Sequence, residues 1–165
     1  MSDKKALVAL AKEASIQDSV TKVFDLMGGV TNMIKPGTTV MLKPNAGHAS
    51  PADTSVCTNP EVVRAVIREV KKANPKSIVI AEAAAIGCDT MECYEVSGIA
   101  DVAREEGVEL YDIKADKDLI NVAVRGYRSN LHHVKLPPAG GRSSHQPAHP
   151  EGARQHGVLL RPEEY

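Results

Sequence analysis

Apolar residues along this chain fall alternately into short runs and helical stripes, and that alternation sets the expected architecture. Ala6, Leu7, Val8, Ala9 and Leu10 form a run that reads as a first strand over Lys5 to Leu10. Ser15 then opens a helix as an N-cap, with Asp18 as its capping-box partner. Ile16, Val20, Val23, Phe24 and Met27 recur at i, i+4, i+7, i+8 and i+11, which is one helical stripe. Gly28-Gly29 ends the helix. Pro36-Gly37 turns the chain into a second strand, Thr39-Val40-Met41-Leu42.

The middle of the chain repeats the scheme. Thr58 or Asn59 is the expected cap of a helix with Pro60 at its first position, where a missing N–H is harmless. Glu61 suits the same end through the helix dipole. Val63, Val66, Ile67 and Val70 make its buried stripe, and Arg64, Arg68, Lys71 and Lys72 are expected to stay wet. Asn74-Pro75 breaks this helix, and Ser77-Ile78-Val79-Ile80-Ala81 is a third strand ending at Glu82. A small-residue loop, Ala83 to Cys88, leads to Asp89 or Thr90 as the cap of a short helix through Val96. Gly98 separates it from another, Ile99 to Glu106, which Gly107 stops. Val108 to Tyr111 is a fourth strand. Leu119 to Val124 and Leu131 to Leu136, around Gly126-Tyr127-Arg128-Ser129-Asn130, resemble a β-hairpin.

Strands alternating with amphipathic helices at this spacing define an α/β class. The expectation is an open, mainly parallel sheet of right-handed βαβ units with helices on both faces, a Rossmann-like three-layer arrangement. With one Phe and no Trp, its core must come from Val, Ile, Leu, Met and Ala, a palette that suits a buried parallel sheet. Beyond Leu136 the pattern stops. Pro137, Pro138, Gly140, Gly141, Pro147, Pro150, Gly152 and Pro162 interrupt every window, and only Val158-Leu159-Leu160 is apolar. Residues 1–136 therefore read as the α/β domain and 137–165 as a Pro/Gly/His-rich tail expected to be disordered.

A length of 165 residues fits one domain with a real core. A net charge of -1 and a pI of about 6.6 supply no clustered basic face, so nucleic acid is not an expected partner. No apolar run approaches the roughly 20 residues needed to span a bilayer, and the N-terminus is charged too soon for a secretory signal. The expectation is a cytoplasmic protein without a membrane partner. Cys57, Cys88 and Cys93 are an odd number of thiols and argue against a disulfide framework.

Candidate chemistry gathers where strands end, because ligands of open parallel sheets bind outside the carboxyl edge. Lys43-Pro44-Asn45 follows the second strand. Lys43 can hold a phosphate or carboxylate as a point charge, and Asn45 can orient it. The start of the helix at Pro60, with Thr58 and Asn59 beside it, offers N–H donors to an anion. Glu82 closes an apolar strand, where a carboxylate needs a partner; it reads as a general base, a metal ligand or the ion-pair partner of Lys43. His48 in the same loop can titrate or ligate a metal. Cys57, just ahead of the helix cap, sits where a thiolate is favoured, though no base adjoins it. The cysteines otherwise read as inert thiols: Cys88 and Cys93 have no companion pair, which leaves the iron–sulfur and zinc signal weak. His132-His133 alternate across a strand and cannot share one metal. No phosphate loop, dinucleotide glycine fingerprint or nucleophile elbow is present, and no reaction follows from these residues.

Met41-Leu42-Lys43-Pro44-Asn45, Thr58-Asn59-Pro60-Glu61-Val62-Val63, Ile78-Val79-Ile80-Ala81-Glu82 with Asp89-Thr90, and Gly98-Ile99-Ala100 together resemble the domain of unknown function 362 family. The resemblance covers about residues 5–136, with Ala83-Ala84-Ala85 in place of the family's usual Ser/Gly-rich run. It implies an α/β domain longer than this chain, often near or fused to ferredoxin-type iron–sulfur modules. A 4Fe-4S cluster is accordingly expected only in full-length or fused relatives. The family's next block, roughly Leu-Pro-Arg, an acidic residue with Ala, Asn-Leu-Pro and later Ala-Leu-Lys-Asn, is missing. Yet codons chosen for Pro137 to Tyr165 and read one base later can spell PRLVDAHHTNLPILKARASMVFSCALKN. Residues from Pro137-Pro138 onward are thus expected to be a frameshifted translation. A sheet missing its later strands leaves an unpaired edge, so the isolated chain is expected to be marginally stable and inactive.

The leading functional expectation is a site for a small anionic ligand at Lys43, Asn45, Thr58, Asn59 and Glu82, with Lys43 and Glu82 as the catalytic pair. Metal ligation is assigned only to His48, Glu82 and Cys57, with the metal unspecified. The alternatives are a non-catalytic redox partner of an iron–sulfur or ferredoxin-type module, and a translated fragment with no activity of its own.

Overall fold

The computed structural model describes residues 7–117, and beyond them the backbone of two strands at 120–124 and 132–136. In chain order the elements are α1 (Ile16–Leu26), α2 (Val30–Met33), β1 (Thr39–Leu42), α3 (Pro60–Lys71), β2 (Ser77–Glu82), α4 (Thr90–Val96), α5 (Ile99–Glu106), β3 (Glu109–Asp112), β4 (Ile120–Val124) and β5 (His132–Leu136). Strands β1, β2 and β3 form an open parallel sheet in that order, with helices packed around it, and the fold is α/β. β4 and β5 pair antiparallel as a separate hairpin. The expectations for its turn and for residues 137–165 lie outside the described residues. No helix among the described residues is long and apolar enough to cross a membrane.

Register determines which side chains meet. Val40 lies opposite Ile78, Leu42 opposite Ile80, and Ile80 opposite Leu110. Strand residues two apart share a face, so these five form one apolar row across the sheet. They join a single core with Phe24 of α1, Val63, Val66, Ile67 and Val70 of α3, and Ile99, Val102 and Ala103 of α5. Met41 and Val79 stand on the other face and take no part in that core, and Met41 is 39% exposed.

Two polar devices fasten the helices. Glu69 of α3 is buried against α1, where its carboxylate accepts from the Thr21 hydroxyl (2.5 Å) and Gln17 Nε2 (3.4 Å) and pairs with Lys72 (2.6 Å). On the other flank Glu106, closing α5, pairs with Arg68 and Lys71, each at 2.8 Å. Lys71 also donates to the Glu106 carbonyl (2.7 Å), placing a cation where the helix dipole is negative. Between α4 and α5, Gly98 has φ +79°, and a Cβ there would lie 3.6 Å from Pro60 Cγ. The Cβ would be in ordinary contact there, so glycine is required by the left-handed backbone of this joint rather than by space.

The structure departs from the sequence reading at several points. Residues 7–10 form no strand, and Leu7, Val8 and Leu10 are exposed. Strand preference is realised only beside a ladder partner, and the described sheet offers this run none. Ser15 is the N-cap of α1 as expected, its hydroxyl oxygen accepting from Asp18 N–H (3.0 Å), while the Asp18 carboxylate accepts from that same hydroxyl (2.7 Å). Arg64 is not a wet residue: its side chain is 16% exposed and pairs with Glu61 and Glu105. The fourth expected strand is β3, and it runs on through Asp112.

Because the shared core lies on one sheet face, Ile80→Ala, at a fully buried position, should destabilise the chain by about 2–5 kcal/mol. Met41→Ala on the other face should change stability by under about 1 kcal/mol in the same denaturant titration. Equal losses would place the core elsewhere. The Glu106 carboxyl is held below the ordinary Glu value of 4.5, first by the Lys71 hydrogen bond and then by Arg68, against the opposing effect of burial. A carboxyl depressed in the folded state adds stability above its unfolded pKa, and that stability is lost as pH falls through the folded one. Thermal midpoints should therefore drop on acidification below about pH 4.5, and Glu106→Gln should flatten part of that drop.

Candidate functional site at the carboxyl edge of the sheet

Level register brings the strand ends together. Leu42 lies opposite Ile80 and Glu82 opposite Asp112, so Lys43 just past β1, Glu82 closing β2 and Asp112 closing β3 emerge on one edge. Lys43 Nζ lies 2.7 Å from Glu82 Oε1 and 2.9 Å from Oε2. Glu82 is also held by the N–H groups of Ala83 (2.8 Å) and Ala46 (3.4 Å). The pair is asymmetric, since the Glu82 side chain is 5% exposed and that of Lys43 51%. A buried carboxylate is thus fully met by donors while its cation keeps one side in solvent.

Asn45, Thr58 and Asn59 shape the edge. The Asn45 N–H donates to the Thr58 hydroxyl (2.8 Å), the Thr58 N–H returns to the Asn45 carbonyl (2.8 Å), and Asn45 Nδ2 donates to the Val56 carbonyl (2.9 Å). This clasp closes the loop after β1. Asn59, rather than Thr58, is the cap of α3: its Oδ1 accepts from Glu61 N–H (2.9 Å), and its carbonyl accepts from Val62 and Val63 (3.0 and 3.3 Å). Pro60 has no N–H. The first-turn donors expected to face an anion are therefore taken up inside the turn.

The loop after β2 is tied to the same rim, with Ala85 N–H donating to the Gly47 carbonyl (2.9 Å). Asp89 caps α4 by accepting from Glu92 N–H (2.8 Å). That frees the neighbouring Thr90, which is fully buried, to donate to Asp112 (2.8 Å) while accepting from Ala84 N–H (3.3 Å). Tyr94 is fully buried, and its phenol donates to the Tyr111 carbonyl (3.2 Å) at the end of β3. Burial pushes this phenol well above its ordinary range, and the Glu82 and Asp112 carboxylates add to the effect.

Asp112, Thr90 and Tyr94 are rim residues that the sequence reading passed over. The signal for Asp112 was available, since it stands at the carboxyl end of a strand like Lys43 and Glu82. Thr90 was read only as a possible cap, and Tyr94 as part of a helix.

The candidate metal ligands are not brought together. His48 is exposed. Cys57 is buried, with its thiol donating to the His48 carbonyl (3.3 Å). Among the described residues no group of three or more His, Cys, Asp or Glu side chains could hold a metal ion. All three cysteines are free, and burial, followed by the proximity of Cys88 and Cys57, pushes the Cys93 thiol up, which keeps it protonated and unreactive. A groove of about 250 Å³ lined by Lys71, Asn74, Ser77, Ile78 and Val108 lies at the opposite end of the sheet, away from the charged pair.

An open parallel α/β sheet whose carboxyl edge collects one charged side chain from each strand end is the class of protein defined by the fold and this rim. The family model described as Domain of unknown function (DUF362) matches residues 40–139, more than half the chain, and the chain belongs to that family. No curated protein and no solved structure matches it.

Proposed function

We propose that the carboxyl edge of β1 and β2 binds a small anionic ligand, with Lys43 receiving it and Glu82 acting as the proton-transferring group beside it. The observation that carries this reading is the asymmetric pair, a buried carboxylate with a lysine 51% exposed. A lysine held on one side by Glu82 and open to solvent on the other can turn to an incoming anion without first leaving a buried position. Asn45 and Thr58 hold the loop that carries Lys43, and Asn59 sets where α3 begins. The redox-partner alternative has no supporting observation among the described residues.

Sulfate is a suitable probe. Its general stabilisation of the folded state, through exclusion from the protein surface, acts equally on wild type and variants, so site binding is the extra protection lost in Lys43→Met. At about 100 times the dissociation constant the site should add about 2.7 kcal/mol, or several degrees of thermal midpoint at roughly 2–4 °C per kcal/mol. Equal sulfate protection of wild type and Lys43→Met, each against its own baseline, would falsify the site.

A second reading concerns the chain itself. The family match stops at residue 139, within a few residues of Pro137-Pro138, where the shifted frame begins to spell a family-like continuation. We propose that residues 137–165 are read out of frame. Resequencing the gene across those two proline codons should find a single-base slip, and an intact frame in independent reads removes the idea.

A further inference from the structure

The groups around Glu82 carry the reading of the rim one step further, to how the site handles protons. Glu82 is 4% exposed. The charged and titratable groups facing it come from three elements. Lys43 past β1 is the only cation bonded to it among the described residues. Asp112 stands beside it across the β2–β3 register, and the buried Tyr94 phenol from α4 lies close to both carboxylates. The N–H groups of Ala83 and Ala46 complete its surroundings. Among the described residues Glu82 thus has one cation against a neighbouring carboxylate, that of Asp112, which is itself held by the Thr90 hydroxyl (2.8 Å) and the Lys114 N–H (2.9 Å).

An anion that binds at this edge competes with Glu82 for that charge. As Lys43 turns toward the ligand, Glu82 is left buried beside Asp112 with two amide donors and no cation. A buried carboxylate that loses its counter-charge next to another carboxylate favours its neutral form. We propose that anion binding at Lys43 is coupled to uptake of one proton by Glu82, so that the occupied site holds an anion next to a carboxylic acid able to hand it a proton. This rests on the reading of Lys43 as the anion receptor. It assigns the ligand to anions whose chemistry begins with protonation, such as carboxylates or phosphate esters with a poor leaving group. The proton comes from solvent and, after donation, Glu82 is again the carboxylate that Lys43 holds in the empty site.

Sulfate does not titrate near neutrality, so any proton taken up on its binding belongs to the protein. Calorimetric titration of the full chain with sulfate, at one pH in two buffers of different ionisation heat, should show uptake of close to one proton. Sulfate affinity should rise by up to about tenfold per unit fall in pH. Glu82→Gln should bind sulfate with no uptake, and should that variant fail to fold, the wild-type heats and pH slope carry the test. Binding with equal heats in both buffers overturns the coupling and leaves the site standing. Uptake that persists in Glu82→Gln overturns it in favour of another group such as the exposed His48, and absence of Lys43-dependent sulfate binding removes the site and the coupling together.

Discussion

The contact between Lys43 and Glu82 is the constraint on which the rest of the edge depends. A carboxylate with 4% exposure is several kcal/mol unfavourable without partners, since it leaves water for a medium that solvates charge poorly. Here it has the N–H of its own neighbour Ala83, and a lysine and the Ala46 N–H from beyond β1 that reach it only if β1 and β2 keep their present register. A slip of one residue would turn Leu42 and Ile80 out of the core and separate the charges in the same movement. Apolar packing and electrostatics therefore specify one arrangement rather than competing for two.

Around that contact the loops are held by short polar side chains next to helix starts. Asn59 caps α3, so the adjacent Thr58 clasps Asn45. Asp89 caps α4, so the adjacent Thr90 reaches Asp112. In each case one residue ends the loop by satisfying the helix, and its neighbour ties the loop to a strand end. Ala85 and Gly47 then join the two loops through their backbones. The rim is tied together with few large side chains, which suits a chain with only one Phe and no Trp.

The fold was legible because it is written in periodicities: Val63, Val66, Ile67 and Val70 on α3, and the unbroken apolar stretch of β2. The convergence of Lys43 and Glu82 was legible too, since it follows from parallel strands ending at one edge. What stayed hidden depends on partners distant in sequence. Nothing near Glu69 shows that Thr21 and Gln17 will cover it. The run from Leu7 to Leu10 looks like a strand because apolarity is local, whereas a strand also needs a neighbour. Choosing between Thr58 and Asn59, or Asp89 and Thr90, as caps required the backbone geometry of each turn, which fixes which side chain reaches the second or third N–H.

The same geometry limits where positive potential can come from at this edge. Helices that start at the carboxyl edge of a parallel sheet point their positive ends toward it, and two of them, α3 and α4, start here. Yet α3 opens with a proline, its next N–H groups are held by Asn59, and Glu61 adds a carboxylate in the first turn. In α4 the Asp89 carboxylate and Glu92 do the same. Both helix ends are thus answered by the chain's own acids and have little left for a ligand. The charge that an incoming anion can use is that of Lys43, already shared with Glu82, so binding here is an exchange of one carboxylate partner for another, and the displaced carboxylate sets the chemistry that follows.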